Sequence, residues 1–216
     1  MRLPSSRRRF LTCTGALLWA GSMPDKLLAA TAGQDYQVIA QTPLPGPSVE
    51  VLEFFSYACP HCAHLAPLLE PWSRKLPAGV IYRRVPVTFG HAQWSVLARA
   101  YYALEALHEA DRLQEKVFTA LHEQQINLFS EDELFDWVQK QGVDRNKFIA
   151  LYRSFAIQSK VQQGDQQAMG YGVDGVPTLI VDGMYTTSPA QAGSNAALFP
   201  VLNELITREL ALKKRR

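Results

Sequence analysis

Two cysteines, Cys59 and Cys62, bracket Pro60 and His61, and no other side chains in this 216-residue chain are better suited to covalent chemistry. Residues three apart on a helix lie close enough for the short Cα separation a disulfide needs, so the pair can open and close as a dithiol. The apolar run Val51-Leu52-Glu53-Phe54-Phe55-Ser56-Tyr57-Ala58 leads into it, and a buried strand is expected to hand the dithiol to a helix. Pro60 suits the first helical position, because its ring presets φ and its missing N–H would have had no intrahelical partner. Cys59 then falls at the N-cap, where unpaired N–H groups and the positive end of the helix dipole favour thiolate over thiol. His61, when protonated, adds a second positive neighbour. Cys59 is therefore expected to be the exposed, acidic sulfur and Cys62 the buried, resolving one. Stabilising the Cys59 thiolate stabilises the reduced form, which makes the disulfide form an oxidant.

Glu53 shares a strand face with Val49, Val51 and Phe55, while Leu52 and Phe54 line the other. A carboxyl there is costly to bury charged, so its pKa is expected to rise. Two roles stay open: an acid exchanging protons with Cys62, or a carboxylate paired to a neighbouring arginine. Arg83 and Arg84 point to opposite faces of the next strand; Arg84 is better placed to reach Glu53, although a solvent-facing charge is the default. A purely structural Cys59–Cys62 bridge would close too small a loop to restrict the unfolded chain much. A zinc site using His61 or His64 would lack a second cysteine pair. No metal is expected, and without a Gly-rich phosphate loop or axial-ligand pattern no cofactor is expected either.

Around this centre, strands are expected at residues 36–40, 49–55 and 80–87, with a rigid Pro-rich connector at 42–47. The helix from Pro60 should run to about residue 75, kinked or shortened by Pro67 and Pro71. From residue 91 to 169 the apolar period becomes helical. Ser130-Glu131-Asp132-Glu133 reads as a capping box and Gly142 as the end of that helix. Asp144 caps the next helix, in which Phe148, Leu151, Tyr152 and Phe155 form a stripe. His91, His108 and His122 are scattered and read as surface or capping residues. A strand resumes at 176–181, and Asp182-Gly183 makes a tight hairpin. Pro177 heads that strand; its lack of an N–H leaves the Val176 backbone free to pair with an extended peptide. A closing helix spans 195–212, and the Lys213-Lys214-Arg215-Arg216 tail complements its negative end.

The first 32 residues differ from the rest. Arg7-Arg8-Arg9 opens onto the mildly apolar stretch 11–20, and Ala30-Thr31-Ala32 is an A-x-A cleavage pattern. This reads as a cleaved export signal, twin-arginine or Sec, and it is too interrupted to anchor the chain in a bilayer. Five of the 22 Lys/Arg and one of the 20 Asp/Glu fall in it, so the net charge of +2 becomes −2 (17 against 19) in the remainder. Nothing in that remainder has the basic face of a nucleic-acid binder. Only Cys59 and Cys62 survive cleavage, and a chain of about 184 residues supports a core without disulfide staples, which directs the pair to chemistry.

Strand, strand-CxxC-helix, strand, helical block, Pro-led hairpin and helix is an α/β order that resembles the thioredoxin fold with an inserted helical domain. Specifically, Val51-Leu52-Glu53-Phe54-Phe55-Ser56, Cys59-Pro60-His61-Cys62, Leu76-Pro77-Ala78-Gly79-Val80 and Gly175-Val176-Pro177 resemble the landmarks of the DsbA family, in that family's order. Tyr57-Ala58 stands where the family carries a more aromatic pair. The resemblance implies residues 33–90 and 170–216 as the thioredoxin domain and 91–169 as the insert. It implies a monomeric periplasmic oxidoreductase that donates disulfides to newly exported proteins with cysteine pairs, with Cys59 forming the mixed disulfide and Cys62 resolving it. It further implies a cis Pro177 against the dithiol, Val176 pairing with substrate backbone, Glu53 as a buried acid, and reoxidation by a quinone-linked, DsbB-like membrane oxidase. A reductase or isomerase of the same fold, and a metal- or peptide-binding module, are the competing readings.

Overall fold

The strand β2, Val49–Phe55, is buried along almost its whole length, and everything else in the fold is arranged by what covers its two faces. In a computed structural model describing residues 30–40 and 44–215, it lies inside a five-stranded sheet of order β1-β5-β4-β2-β3. The other strands are β1 (Gln37–Val38), β3 (Val80–Pro86), β4 (Thr178–Val181) and β5 (Tyr185–Thr187). β2 pairs parallel with β3, placing Glu53 opposite Arg84, and antiparallel with β4, placing Phe54 opposite Thr178. A near-continuous apolar strand is what a position covered on both faces demands.

Helix α1 (Pro60–Ser73) and the closing helix α8 (Asn195–Lys213) cover the face carrying Val49 and Val51, with Leu65, Leu69, Leu202 and Leu205 packed against them. Leu52 and Phe54 meet Val85, Ala168 and Ile180 on the other face. Between β3 and β4 in sequence stand five helices: α2 (Ala92–Ala106), α3 (Ala110–His122), α4 (Glu131–Lys140), α5 (Arg145–Tyr152) and α6 (Phe155–Gly170). Their core is continuous with Phe55, Tyr57, Cys59 and Cys62, so the helical insert packs directly on the end of β2. Gly164 permits this closeness, because a Cβ there would lie 3.1 Å from the Pro86 carbonyl and 3.2 Å from the Tyr102 hydroxyl. A short helix, α7 (Pro189–Ala192), precedes α8.

The order of elements is that of a thioredoxin-like α/β fold with a helical insert. The Asp182-Gly183 hairpin forms, both residues taking positive φ (51° and 68°) and Met184 N–H closing the turn on Val181 O at 2.9 Å. α1 continues past Pro67 and Pro71 and ends at Ser73, burying Leu65, Ala66 and Leu69. Three local expectations are corrected. Ser130 starts α4 without a side-chain cap, and Glu133 instead accepts from Asn127 Nδ2 at 3.3 Å. Phe155 leaves the apolar stripe: α5 stops at Tyr152, Ser154 caps a new helix through Ile157 N–H, and Phe155 is 82 % exposed. Lys213 is no solvated tail residue; its ammonium is buried 3.0 Å from Asp182 and donates to the Leu44 carbonyl at 2.8 Å. Most of the export-signal reading, residues 1–29, lies outside the described residues, as do Thr42 and Pro43 of the connector and Arg216.

Candidate active site

β2 ends at Phe55, and the chain turns through Ser56-Tyr57-Ala58-Cys59, with Cys59 N–H donating to Ser56 O at 3.1 Å. Cys59 is the N-cap of α1, with φ −90° and ψ 118°, and Pro60 follows in the first turn. Ala63 N–H makes the first helical bond to Cys59 O, at 3.1 Å. The amides of His61 and Cys62 have no helical acceptor and are among the groups that lower the Cys59 thiol.

That geometry separates two chemically identical side chains. Both are free thiols. The Cys62 S–H, donating to the Cys59 sulfur, is the largest influence holding the Cys59 thiol down at about 5 from an ordinary 9.0; burial opposes it, and the Cys62 and His61 N–H groups and the His61 ring assist. Burial pushes the Cys62 thiol far up, and the neighbouring Cys59 and Glu53 charges add to the rise. Cys59 keeps 8 % of its surface open and Cys62 none. Cys59 is thus acidic as expected but more covered than expected, because the loop before β4 folds over it.

That loop contains the cis Val176–Pro177 bond. Pro177 is buried, Val176 is half-buried, and the Val176 carbonyl oxygen lies 3.4 Å from Cys59 Sγ, where the thiol form donates to it. A groove of about 320 Å³ runs beside it, lined by His61, His64, Val176, Pro177 and Ser188 among others. The structure therefore brings Cys59, Cys62, Pro60, His61, Val176 and Pro177 into one site.

Glu53 sits beneath, only 1 % exposed, and accepts a short hydrogen bond from the Tyr82 hydroxyl. Arg84 Nε lies 3.6 Å from the same carboxylate, with 7 % of the arginine side chain exposed. Burial raises the Glu53 pKa, against the lowering pull of Arg84 and Tyr82. The default of a solvent-facing Arg84 is overturned: the guanidinium also binds Glu70 at 2.6 Å and Asp111 at 2.7 Å, tying strand, α1 and α3 together. Arg83 is the exposed one, paired to Glu50 at 2.6 Å.

Sequence reasoning missed His122. It is not a scattered surface residue, for its Nε2 lies 2.7 Å from the Tyr57 carbonyl just ahead of the dithiol. Its spacing was the available signal: Gln114, Phe118 and His122 fall at i, i+4 and i+8 on one face of α3. Among the described residues, no group of three or more His, Cys, Asp or Glu side chains converges as a metal site would require.

A helix that begins at an acidic cysteine, has its partner thiol one turn inside and a cis-proline loop laid across it, belongs to the thiol:disulfide oxidoreductases built on the thioredoxin fold. The relatives narrow this further. A DSBA-like thioredoxin domain matches residues 73–198, a span that begins beyond Cys62 and so does not rest on the CxxC pair. The thiol:disulfide interchange protein DsbA of Bordetella parapertussis is 38 % identical over 200 residues, covering 89 % of this chain and 95 % of that one. The crystal structure of Pseudomonas aeruginosa DsbA superposes with a TM-score of 0.80 at 36 % identity, covering 86 % of this chain and 97 % of that one. Reduced DsbA1 from Neisseria meningitidis gives 0.75 at 29 % identity, over 88 % and 100 % of the two chains. The chain belongs to the DsbA family.

Proposed function

We propose that this protein is a periplasmic thiol:disulfide oxidoreductase that donates the Cys59–Cys62 disulfide to newly exported proteins. The observation that carries this reading is the asymmetry of the dithiol: Cys59 is acidic, at about 5, and partly open, while Cys62 is enclosed and held neutral. A client thiolate attacks Cys59 Sγ, the Cys59–Cys62 bond breaks, and Cys62 leaves and takes up a proton. The client's second thiolate then attacks the client sulfur of the mixed disulfide and expels Cys59 as a stabilised thiolate. The client gains a disulfide, and the enzyme holds the two electrons. Cys62 resolves the mixed disulfide in the opposite direction, restoring the enzyme disulfide.

In this reading Val176, whose carbonyl already faces Cys59, offers its backbone to an extended client segment, and Pro177 holds that loop against the dithiol. Glu53 is the buried acid that exchanges the Cys62 proton, supported by its burial, its raised pKa and its electrostatic contact with Cys62. Residues 1–32 direct export and are removed; the mature protein works as a monomer and is reoxidised by a quinone-linked, DsbB-like membrane oxidase. Neither metal nor cofactor enters the scheme.

The test combines two variants with glutathione redox equilibration. Cys59→Ser should abolish dithiol oxidation, and Cys62→Ser should accumulate mixed disulfides with clients. A Cys59→Ser protein that keeps full activity, or a wild type as reducing as an ordinary dithiol, would refute the assignment.

A further inference from the structure

We propose that His122 is a positioning residue for the nucleophile, acting from the helical insert through the backbone of Tyr57. The inference rests on the redox reading of Cys59 and concerns what holds that sulfur in place. Ser56-Tyr57-Ala58-Cys59 is a turn closed at its ends by Cys59 N–H to Ser56 O, at 3.1 Å. Such a closing bond leaves the middle peptide plane free to flip, which is how the common turn types differ. Here that middle plane, the Tyr57 C=O and Ala58 N–H unit, is held from both sides. Ala58 N–H donates to Ser56 Oγ at 3.2 Å, and His122 Nε2 donates to Tyr57 O at 2.7 Å. A carbonyl only accepts, so His122 must carry its proton on Nε2.

Three successive turns of α3 grip the same tyrosine. Gln114 Oε1 accepts from the Tyr57 hydroxyl at 2.6 Å, the Phe118 ring meets the Tyr57 ring edge-on at 5.0 Å, and His122 takes the carbonyl. Tyr57 is fully buried, and burial keeps its phenol protonated as a donor. The residue so held is separated only by Ala58 from Cys59, whose φ of −90° and ψ of 118° set its sulfur at the N-terminus of α1, where the unpaired amides of His61 and Cys62 favour the thiolate. A flip of the Tyr57–Ala58 peptide would re-aim Cys59 and cost it those donors. His122 touches neither the sulfur nor a client; its effect on the thiolate passes through the main chain.

The test is a thiolate absorbance titration of the reduced full mature chain, with urea unfolding and client-dithiol oxidation rates measured in parallel. His122→Ala should raise the Cys59 midpoint by about one pH unit, as expected when hydrogen bonds to the charged form are lost. His122→Gln restores a donor at similar reach and should bring the midpoint back. His122→Phe keeps the stack on Phe118 without the donor and should behave like His122→Ala, which keeps the test alive should the alanine variant fail to fold. A role in stability alone would lower the unfolding midpoint and leave the thiolate titration unmoved. Unmoved titration in the Ala and Phe variants, or a Gln variant that titrates like them, overturns the proposal. A wild type with an ordinary thiol overturns the redox reading together with the clamp, whereas an acidic wild type with unaltered variants overturns the clamp alone.

Discussion

Taking the reduced protein from pH 7 to pH 4 should remove about 2–3 kcal/mol of folding free energy that the oxidised protein never had. Cys59 titrates at about 5 when folded, against an ordinary 9.0. A folded pKa below the unfolded one contributes stability that is complete above the unfolded value and is lost as pH falls through the folded value. At pH 7 roughly two of the four units are in play, each worth about 1.4 kcal/mol; by pH 4 almost none remains. Cys59 is only 8 % exposed, so solvent screening takes little from this upper figure. Cys62, raised by burial, is a neutral thiol in both states across the window and contributes no slope.

The disulfide itself contributes the opposing term. Closing so small a loop restricts the unfolded chain by about 2 kcal/mol, and that contribution does not depend on pH. Comparing the two redox forms at a single pH therefore mixes two effects of similar size, whereas the change in their difference with pH isolates the thiolate. Groups remote from the dithiol contribute equally to both forms and cancel. Urea unfolding of the reduced and oxidised mature protein at pH 7 and pH 4 is the assay. With a slope of roughly 2 kcal/mol per molar urea, the gap between midpoints should move by about 1 M. The same free energy should appear as about 60 mV of extra oxidising potential at pH 7. A midpoint gap that is constant between the two pH values would refute the argument that the folded protein holds Cys59 as a thiolate.

Two further outcomes follow from buried charges. Lys213→Met strands the buried Asp182 carboxylate and should destabilise by about 3–5 kcal/mol in urea unfolding, most of it recovered in the Lys213→Met, Asp182→Asn double variant, since asparagine tolerates the positive φ there. Glu53 has a raised folded pKa, so its burial favours folding below the unfolded pKa and turns into a cost as pH rises through the folded one. Glu53→Gln keeps an acceptor for Tyr82, and Arg84 keeps Glu70 and Asp111, so the variant should be more stable than the wild type at pH 7, the advantage shrinking as the pH is lowered towards 4; a wild type that matches it at pH 7 would contradict the burial argument.

The parts of this molecule that were legible in its sequence are those decided by neighbours along the chain. Val49 to Phe55 could only be a covered strand, Pro60 could only open a helix after Cys59, and Asp182-Gly183 could only be a tight turn. Strand alternation singled out Arg84 over Arg83 as the arginine able to reach Glu53, but not that it is buried, because Glu70 and Asp111, which hold it there, come from α1 and α3. What escaped was decided by partners far away in sequence. Lys213 looked like a helix-end cation until the hairpin's Asp182 came to meet it. His122 looked solitary because its acceptor is a main-chain carbonyl 65 positions earlier, and carbonyls leave no mark in a sequence. Phe155 continued the period of Phe148 and Tyr152, but the helix had already stopped, and a period cannot report a break that preserves its own spacing.

The strongest single hold on the Cys59 thiolate is the Cys62 S–H, and this has a consequence for the direction of the reaction. In the mixed disulfide Cys59 is bonded to the client, and Cys62 has no thiolate to donate to. Two nucleophiles then compete: Cys62, whose attack on Cys59 returns the client reduced, and the client's own second cysteine, whose attack completes the transfer. Only a thiolate attacks. Full burial keeps Cys62 protonated, so its attack must wait until Glu53 takes up that proton. The backward route is therefore slowed, while a client thiol in water ionises without that wait. The forward step in turn releases Cys59 into the position where the waiting Cys62 S–H receives it. One buried, neutral thiol thus both slows the reversal and rewards completion, so the apolar packing around Cys62 matters to the outcome as much as the helix terminus beneath Cys59.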